Sequence, residues 1–354
     1  MASRSVIILP DDSPRAILDA VNGAKKSLRI KMFVFSDPDL LNAVVAARKR
    51  GVDVKVMLNP ARRNGADDNA DSRKLLVAAG VEVADSNPEF GLTHEKSMVV
   101  DDETAFVKSL NWVTENLNET RDYAVITNHH HEVEEIANCF EADWNRKPFV
   151  PPADSHLIWC KGDGRARIAH FIDSVKHTLF VQNERYQDAV IIERIVRASV
   201  RGVKVHVMAR PPHTLKKEKM IEGVGGLRIM SDVGVKIHKL KNLRLHGKML
   251  LADGERAIVG SINLTPGSFD DRRELAIEIR DEEVVQRLLK VAEHDWENSH
   301  ALDLSDEGLM ADLAKRESSK AGASGLVLDV DDDEHHRTNH HHHHKHDKND
   351  KDKK

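Results

Sequence analysis

Short apolar runs alternate with amphipathic stretches along most of the chain. Residues 6–9, 28–35 and 54–58 are β-branched-rich or alternate apolar with polar, which predicts strands. Between them, residues 14–24 and 38–50 carry apolar side chains at helical spacing behind Asp or Ser caps, with Pro14 and Pro38 near the first turns. Strand–helix–strand alternation predicts an α/β fold with helices packed on a mostly parallel sheet. The order recurs: residues 167–176 and 189–200 have the helical period, and residues 179–182 and 203–208 read as strands.

This recurrence is a duplication. "RGVDVKVMLNP" from Arg50 matches "RGVKVHVMARP" from Arg201, 151 residues on. "THEKSMVVDDETAFVKSLN" matches "LHGKMLLADGERAIVGSIN", with His94 over His246 at a separation of 152. Helical segments closing near Trp144 and Trp296 keep that separation. So steady a register over so long a period marks two copies of a whole domain rather than the units of a solenoid. Pro148, Pro151 and Pro152 interrupt the pattern, so the expected domains are residues 1–150 and 153–300. Residues 301–315 have the pattern of one more amphipathic helix, within a helix-and-linker segment 301–330. Residues 331–354, with the run His340 to His344 among Asp and Lys, are too polar to bury a core and are expected to be a disordered, solvated tail.

Charge and composition narrow the classes. Lys+Arg of 53 against Asp+Glu of 58 leaves a net charge of −5, no general attraction for nucleic acid or anionic lipid. Aromatic content of 4% supplies neither a stacking platform for single strands nor an interfacial belt. No apolar stretch approaches the length of a transmembrane segment, and the first apolar run is too short for a signal peptide. Cys139 and Cys160 read as small core residues, in keeping with a cytoplasmic protein.

The repeated segment holds the candidate chemistry. Each copy carries His-x-Lys, four residues, Asp, and then Ser-x-Asn: His94, Lys96, Asp101, Ser109 and Asn111, and again His246, Lys248, Asp253, Ser261 and Asn263. His-x-Lys leads into an apolar run, so a strand would place both side chains on one face. A hairpin would bring Ser-x-Asn beside them. Histidine can attack or carry a proton, lysine fixes a positive charge, and the amide and hydroxyl donate. A phosphodiester needs that set twice, once to attack and once to protonate the leaving oxygen. At roughly 5% usage of each type, one such motif arises by chance about 0.04 times in a chain of this length, so one match is weak and two in register are not. Asp101 and Asp253, just past the apolar run, suit either the chemistry or a turn.

These residues resemble the phospholipase D superfamily, whose signature is a duplicated HKD motif followed by Gly-Ser-x-Asn, and the resemblance spans residues 5–298. It implies two tandem α/β/α sandwich domains related by pseudo-two-fold symmetry, with one active site at their interface. It implies a phosphohistidine intermediate, with His94 as nucleophile and His246 as acid and then base. It also implies catalytic roles for Lys96, Asp101, Lys248 and Asp253, phosphate contacts from Ser109, Asn111, Ser261 and Asn263, and no cofactor or metal. The family sets a carboxylate behind each histidine, which points to Asp122 in "TRDYAVIT" and Glu274 in "RRELAIEI". One departure is Lys108, where the signature and the second copy (Gly260) have glycine. Either the side chain points outward, or it distorts the first half-site.

The motif style resembles the lipid-acting, cardiolipin-synthase-like branch. The expected function is therefore hydrolysis or transfer of phosphatidyl groups, on a phospholipid substrate, by a protein at most peripheral to the membrane. Cleavage of nucleic acid is the alternative, and an inactive scaffold a weaker one. Lys236, Lys239, Lys241 and Arg244 ahead of the second motif would suit any anionic substrate. His129 to His131 are consecutive, a spacing that suits a solvated loop better than a metal site.

Overall fold

The computed structural model describes residues 1–60, 65–214 and 217–321. In the first half, the strands Arg4–Leu9, Thr120–Thr127, Thr104–Lys108, Lys96–Val100, Ser27–Met32, Asp53–Leu58 and Glu82–Asp85 lie side by side in that order. The second half repeats the arrangement with Leu157–Cys160, Arg272–Ile279, Arg256–Gly260, Lys248–Ala252, Thr178–Gln182, Lys204–Met208 and Lys236–Leu240. The sheets are mixed rather than mostly parallel. Ser27–Met32, Asp53–Leu58 and Glu82–Asp85 pair in parallel, and the remaining neighbours are antiparallel. Helical crossovers of adequate length join the parallel strands, whereas the motif strand returns through a tight turn and must pair antiparallel.

Local chemistry accounts for the helices. Pro38–Lys49 starts at Asp37, whose carboxylate accepts from Leu40 N–H at 3.0 Å, with Pro38 in the first turn and Arg48 and Lys49 in the last. Ala189–Val200 is capped by Asp188 on Ile191 N–H at 3.1 Å and buries Ile191, Ile192, Ile195 and Ala198. The last helix is Asp306–Ala321, later than the spacing predicts, because Ser299–Ala301 instead pairs antiparallel with Lys236–Leu240. The expected tail 331–354, including His340 to His344, lies outside the described residues.

Each sheet is covered on one face by its own helices and on the other by the partner half. Along Lys96–Val100, Met98 enters the first half's own core while Val99 enters a core shared by both halves. Leu250 faces its own half, and Met249 and Leu251 face the shared core. Strands buried on both faces read as continuous apolar runs, as both motif strands do. The helices His130–Trp144 and Glu282–Glu297 supply Val133, Ile136, Val284, Val285 and Leu288 to this shared layer. Cys139 and Cys160 are buried and free, as core residues. Among the described residues, no helix is long and apolar enough to cross a membrane.

Candidate active site

Each half lends the two residues before its motif to a strand of the other half. Leu92–Thr93, just before His94, pairs in parallel with Arg272–Ile279, and Arg244–Leu245, just before His246, pairs in parallel with Thr120–Thr127. His94 and Glu95 N–H both donate to the Arg273 carbonyl at 2.9 and 3.0 Å, and His246 and Gly247 N–H to the Arg121 carbonyl at 3.2 and 2.7 Å. Gly247 is needed at this crossing, since a Cβ there would lie 2.8 Å from the Tyr123 ring and 3.0 Å from the Arg121 carbonyl.

The crossing decides which carboxylate meets which histidine. His94 Nδ1 lies 2.6 Å from Glu274 Oε1 and 2.9 Å from the Ser261 carbonyl oxygen, all in the second half. His246 Nδ1 lies 2.8 Å from Asp122 Oδ1, in the first. The carboxylates are themselves fixed: Ser261 Oγ donates to Glu274 at 2.8 Å, while Ser109 and Thr120 hydroxyls donate to Asp122 at 2.7 and 2.5 Å. All four members of the two pairs are buried. Burial pushes Glu274 up, but His94, Arg272 and Lys96 outweigh it and hold the carboxyl below its usual range. A Nδ1–H given to a carboxylate leaves the chemistry of each ring to Nε2.

The two lysines are buried beside their histidines. Lys96 Nζ donates to the His94 carbonyl at 2.9 Å and Lys248 Nζ to the His246 carbonyl at 2.8 Å, as expected of residues two apart on one face. Asn111 and Asn263 are fully buried. Asn111 Oδ1 accepts from Val34 N–H at 3.1 Å, whereas neither amide atom of Asn263 has a hydrogen-bond partner among the described residues. A buried amide in that condition suits a polar ligand. Together the histidines, lysines and asparagines could place a nucleophile, a proton donor and cations around one phosphoryl group.

Asp101 and Asp253, expected beside the histidines and lysines, lie apart from them at a turn. Both have positive φ, +54° and +56°, at the turn that ends the motif strand, a conformation Asp tolerates better than most residues. The Asp101 carboxylate accepts from the backbone N–H groups of Lys25, Lys26 and Ser27, and Asp253 from those of Lys176, His177 and Thr178. Five residues of strand separate Lys96 from Asp101, roughly 16 Å. They tie the hairpin to the neighbouring strand.

Lys108 neither points outward nor distorts the half-site. Ser109 keeps the same bond to its carboxylate that Ser261 makes. The Lys108 side chain is fully buried, with Nζ 4.3 Å from the centre of the Trp112 ring and without a hydrogen-bond partner among the described residues. Its counterpart needs glycine, because a Cβ at Gly260 would lie 2.3 Å from the Leu275 carbonyl. Burial pushes the Lys108 amine down to about 7; Glu95 opposes that shift and Lys96 reinforces it.

Two further pairs escaped the sequence reading. Arg121, beside Asp122, forms a two-pronged pair with Asp295 at 2.9 Å on both prongs, and Arg273, beside Glu274, does the same with Asp143 at 3.0 Å. Each reaches across the interface. The signal was in the repeat: the arginines, like the aspartates, are 152 residues apart. Glu95, Cys139 and Asp143 stand close enough together to hold a cation, and Lys31 supplies its ammonium there, 2.8 Å from Glu95 and 2.7 Å from Asp143. His129 to His131 line a cleft with Arg4, Glu134 and His156, which contains none of the motif residues.

Comparison with known proteins identifies the family. Mitochondrial cardiolipin hydrolase of Homo sapiens is 32% identical over 148 residues, covering 40% of this chain and 56% of that protein. Cardiolipin synthase B of Salmonella typhimurium is 25% identical over 325 residues, covering 77% of this chain and 75% of that protein. Among solved structures, polyphosphate kinase from Porphyromonas gingivalis has the same fold, with a TM-score of 0.67 and 14% identity over 90% of this chain and 53% of that one. The chain therefore spans about half the length of the human hydrolase and of the kinase. The family described as "Cardiolipin synthase, PLD-like domain" matches twice, over residues 17–144 and 168–296, once for each copy of the repeat, and the chain belongs to that family.

Proposed function

We propose that this chain is a phospholipase D-type phosphodiesterase that hydrolyses or transfers the phosphatidyl groups of phospholipids through a phosphohistidine, with no step assigned to a metal. The observation that carries the reading is the crossed pairing, Glu274 on His94 and Asp122 on His246, which leaves Nε2 of each buried histidine for chemistry beside a buried lysine. The cardiolipin synthase and cardiolipin hydrolase among the relatives support a lipid substrate of that kind.

His94 Nε2 attacks phosphorus, forming the N–P bond while the bond to the head-group oxygen breaks. His246 gives its Nε2 proton to that oxygen. Water or an alcohol then attacks phosphorus, His246 takes the incoming proton, and the N–P bond breaks to restore His94. Glu184 supports this assignment of roles: its Oε1 lies 3.8 Å from His246 Nε2, and a carboxylate there suits a ring that carries a proton before substrate binds. Lys96, Lys248, Asn111 and Asn263 hold the phosphoryl oxygens, and Ser109 and Ser261 keep the orienting carboxylates in place.

Mixed phospholipid vesicles containing cardiolipin, incubated with the protein, EDTA and ethanol, should yield phosphatidylethanol. That product would report a lipid substrate, a covalent phosphatidyl-enzyme and turnover under chelation at once. Release of lipid product that EDTA abolishes would overturn the metal-free mechanism. No lipid product, with cleavage of single-stranded DNA or of polyphosphate, would overturn the lipid reading.

A further inference from the structure

Glu184 sits just beyond the strand Thr178–Gln182, at the position Phe33 takes 151 residues earlier. In the first half, the Phe33 ring meets His94 edge-on at 5.6 Å. In the second, the same place holds a buried carboxylate. Its Oε1 accepts from Lys248 Nζ at 2.9 Å and lies 3.8 Å from His246 Nε2, and its Oε2 accepts from Arg210 Nη1 at 3.0 Å. A lysine, a guanidinium N–H and an imidazole around two oxygens are contacts that a phosphoryl group takes. A phosphate anion cannot share that space, because two anions a few ångströms apart in a buried site repel strongly.

We propose that Glu184 is a displaceable internal anion, holding the phosphoryl-binding position of the second half-site and yielding Lys248 and Arg210 to an incoming phosphate. The inference rests on the proposed function only in taking a phosphate group as ligand, and its test needs no turnover. Lys248 and Arg210 stay neutralised in either arrangement, so the exchange swaps one anion for another without leaving a buried cation unpaired. Apparent affinity is then lowered by the fraction of molecules in which Glu184 has withdrawn. The first half-site, with Phe33, has no such competitor at the equivalent position, so the gate acts on the side of the proton-donating His246.

The experiment is calorimetric titration of the full-length protein with inorganic phosphate. Glu184→Gln should bind about tenfold more tightly than the wild type if the carboxylate holds the position in about nine molecules of ten. Glu184→Asp, which keeps the charge but draws it back by one methylene, should bind about threefold more tightly on the same reasoning. Equal or weaker binding by Glu184→Gln, with an unchanged melting temperature, would overturn the proposal and leave the phosphate site standing. Should Glu184→Gln lose its cooperative melt, the aspartate variant decides alone, and an unchanged or weaker Kd overturns the proposal. No phosphate binding by wild type or variants would overturn both this inference and the proposed function.

Discussion

Lys108 shows how far a single residue departs from its motif when a neighbour can receive it. The first copy offers the flat face of Trp112 where the second has Leu264 at the matching position, so a lysine can be buried in one half and not in the other. The burial leaves a stability signature. The folded amine titrates near 7 and the unfolded one near its ordinary value of 10.5. Below pH 7 both states carry the proton and the folded protein bears the full cost of the buried charge. Between 7 and 10.5 the unfolded chain binds more protons, so stability rises with pH across that window. Lys108→Met should therefore stabilise the protein at pH 6, by on the order of 4 kcal/mol, with the gain fading towards pH 10. Denaturant titration at a series of pH values checks this; a variant-to-wild-type difference independent of pH would refute it. Asp101 makes the opposite case, a motif residue whose work is local. Asp101→Asn should lower stability by about 1–3 kcal/mol through weakened bonds to the Lys25–Ser27 backbone, while kcat on lipid stays close to wild type. A loss of kcat comparable to that of a histidine variant would return Asp101 to the chemistry.

Among the elements, the strands Thr120–Thr127 and Arg272–Ile279 do the most. Each presents an arginine to a helix of the far half, Glu282–Glu297 or His130–Trp144, and, one residue on, a carboxylate to the far half's histidine. Alternation along a strand sends these neighbours to opposite faces, which lets one strand brace the interface and orient the site. Burial pushes Asp143 up, but Lys31 and Arg273 hold it at about 2. That contribution to stability is complete above the ordinary aspartate range and is lost as pH falls from about 4 towards 2. Arg273→Ala, which removes the two-pronged partner of Asp143 and leaves the buried carboxylate to Lys31, should cost about 1–3 kcal/mol by thermal or urea unfolding. For the orienting pairs, Asp122→Asn and Glu274→Gln should each lower kcat about 10²- to 10⁴-fold with little change in melting temperature. On the proposed mechanism the crossed pairing separates them by trapping of a phosphohistidine: Glu274→Gln should slow its formation through His94, and Asp122→Asn its resolution through His246.

For the whole molecule, the two sheets enclose a core that neither half completes alone, with Val99, Val125 and Tyr123 of one half meeting Met249, Leu251 and Leu275 of the other. One chain thus carries both motif copies and the carboxylate that each histidine meets. His94→Ala and His246→Ala should each abolish turnover with the fold intact by circular dichroism. Mixing the two variants should restore nothing, since each chain builds its own site; recovered activity would mean a site shared between chains.

Duplication, strand and helix order and the positions of the paired histidines, lysines and asparagines were legible in the sequence, because each rests on short-range spacing or on a constant separation of about 152 residues, whereas Asp122 and Glu274 were singled out through the family resemblance. Registration alone could not say that Asp122 serves the histidine 124 residues ahead of it or that Glu274 serves the one 180 behind, because that depends on which sheet edge accepts the two residues before each motif. Nor could it settle Asp101 and Asp253, whose type suits both a turn and a site until their backbone partners are known. Lys108 and Glu184 were decided last. Their directions depend on Trp112, Arg210 and Lys248, residues distant in sequence or on other strands, and only packing brings those partners within reach. The chain's local chemistry determined the parts and their number; the crossing of two halves, driven by burial of a shared apolar layer, determined which part faces which.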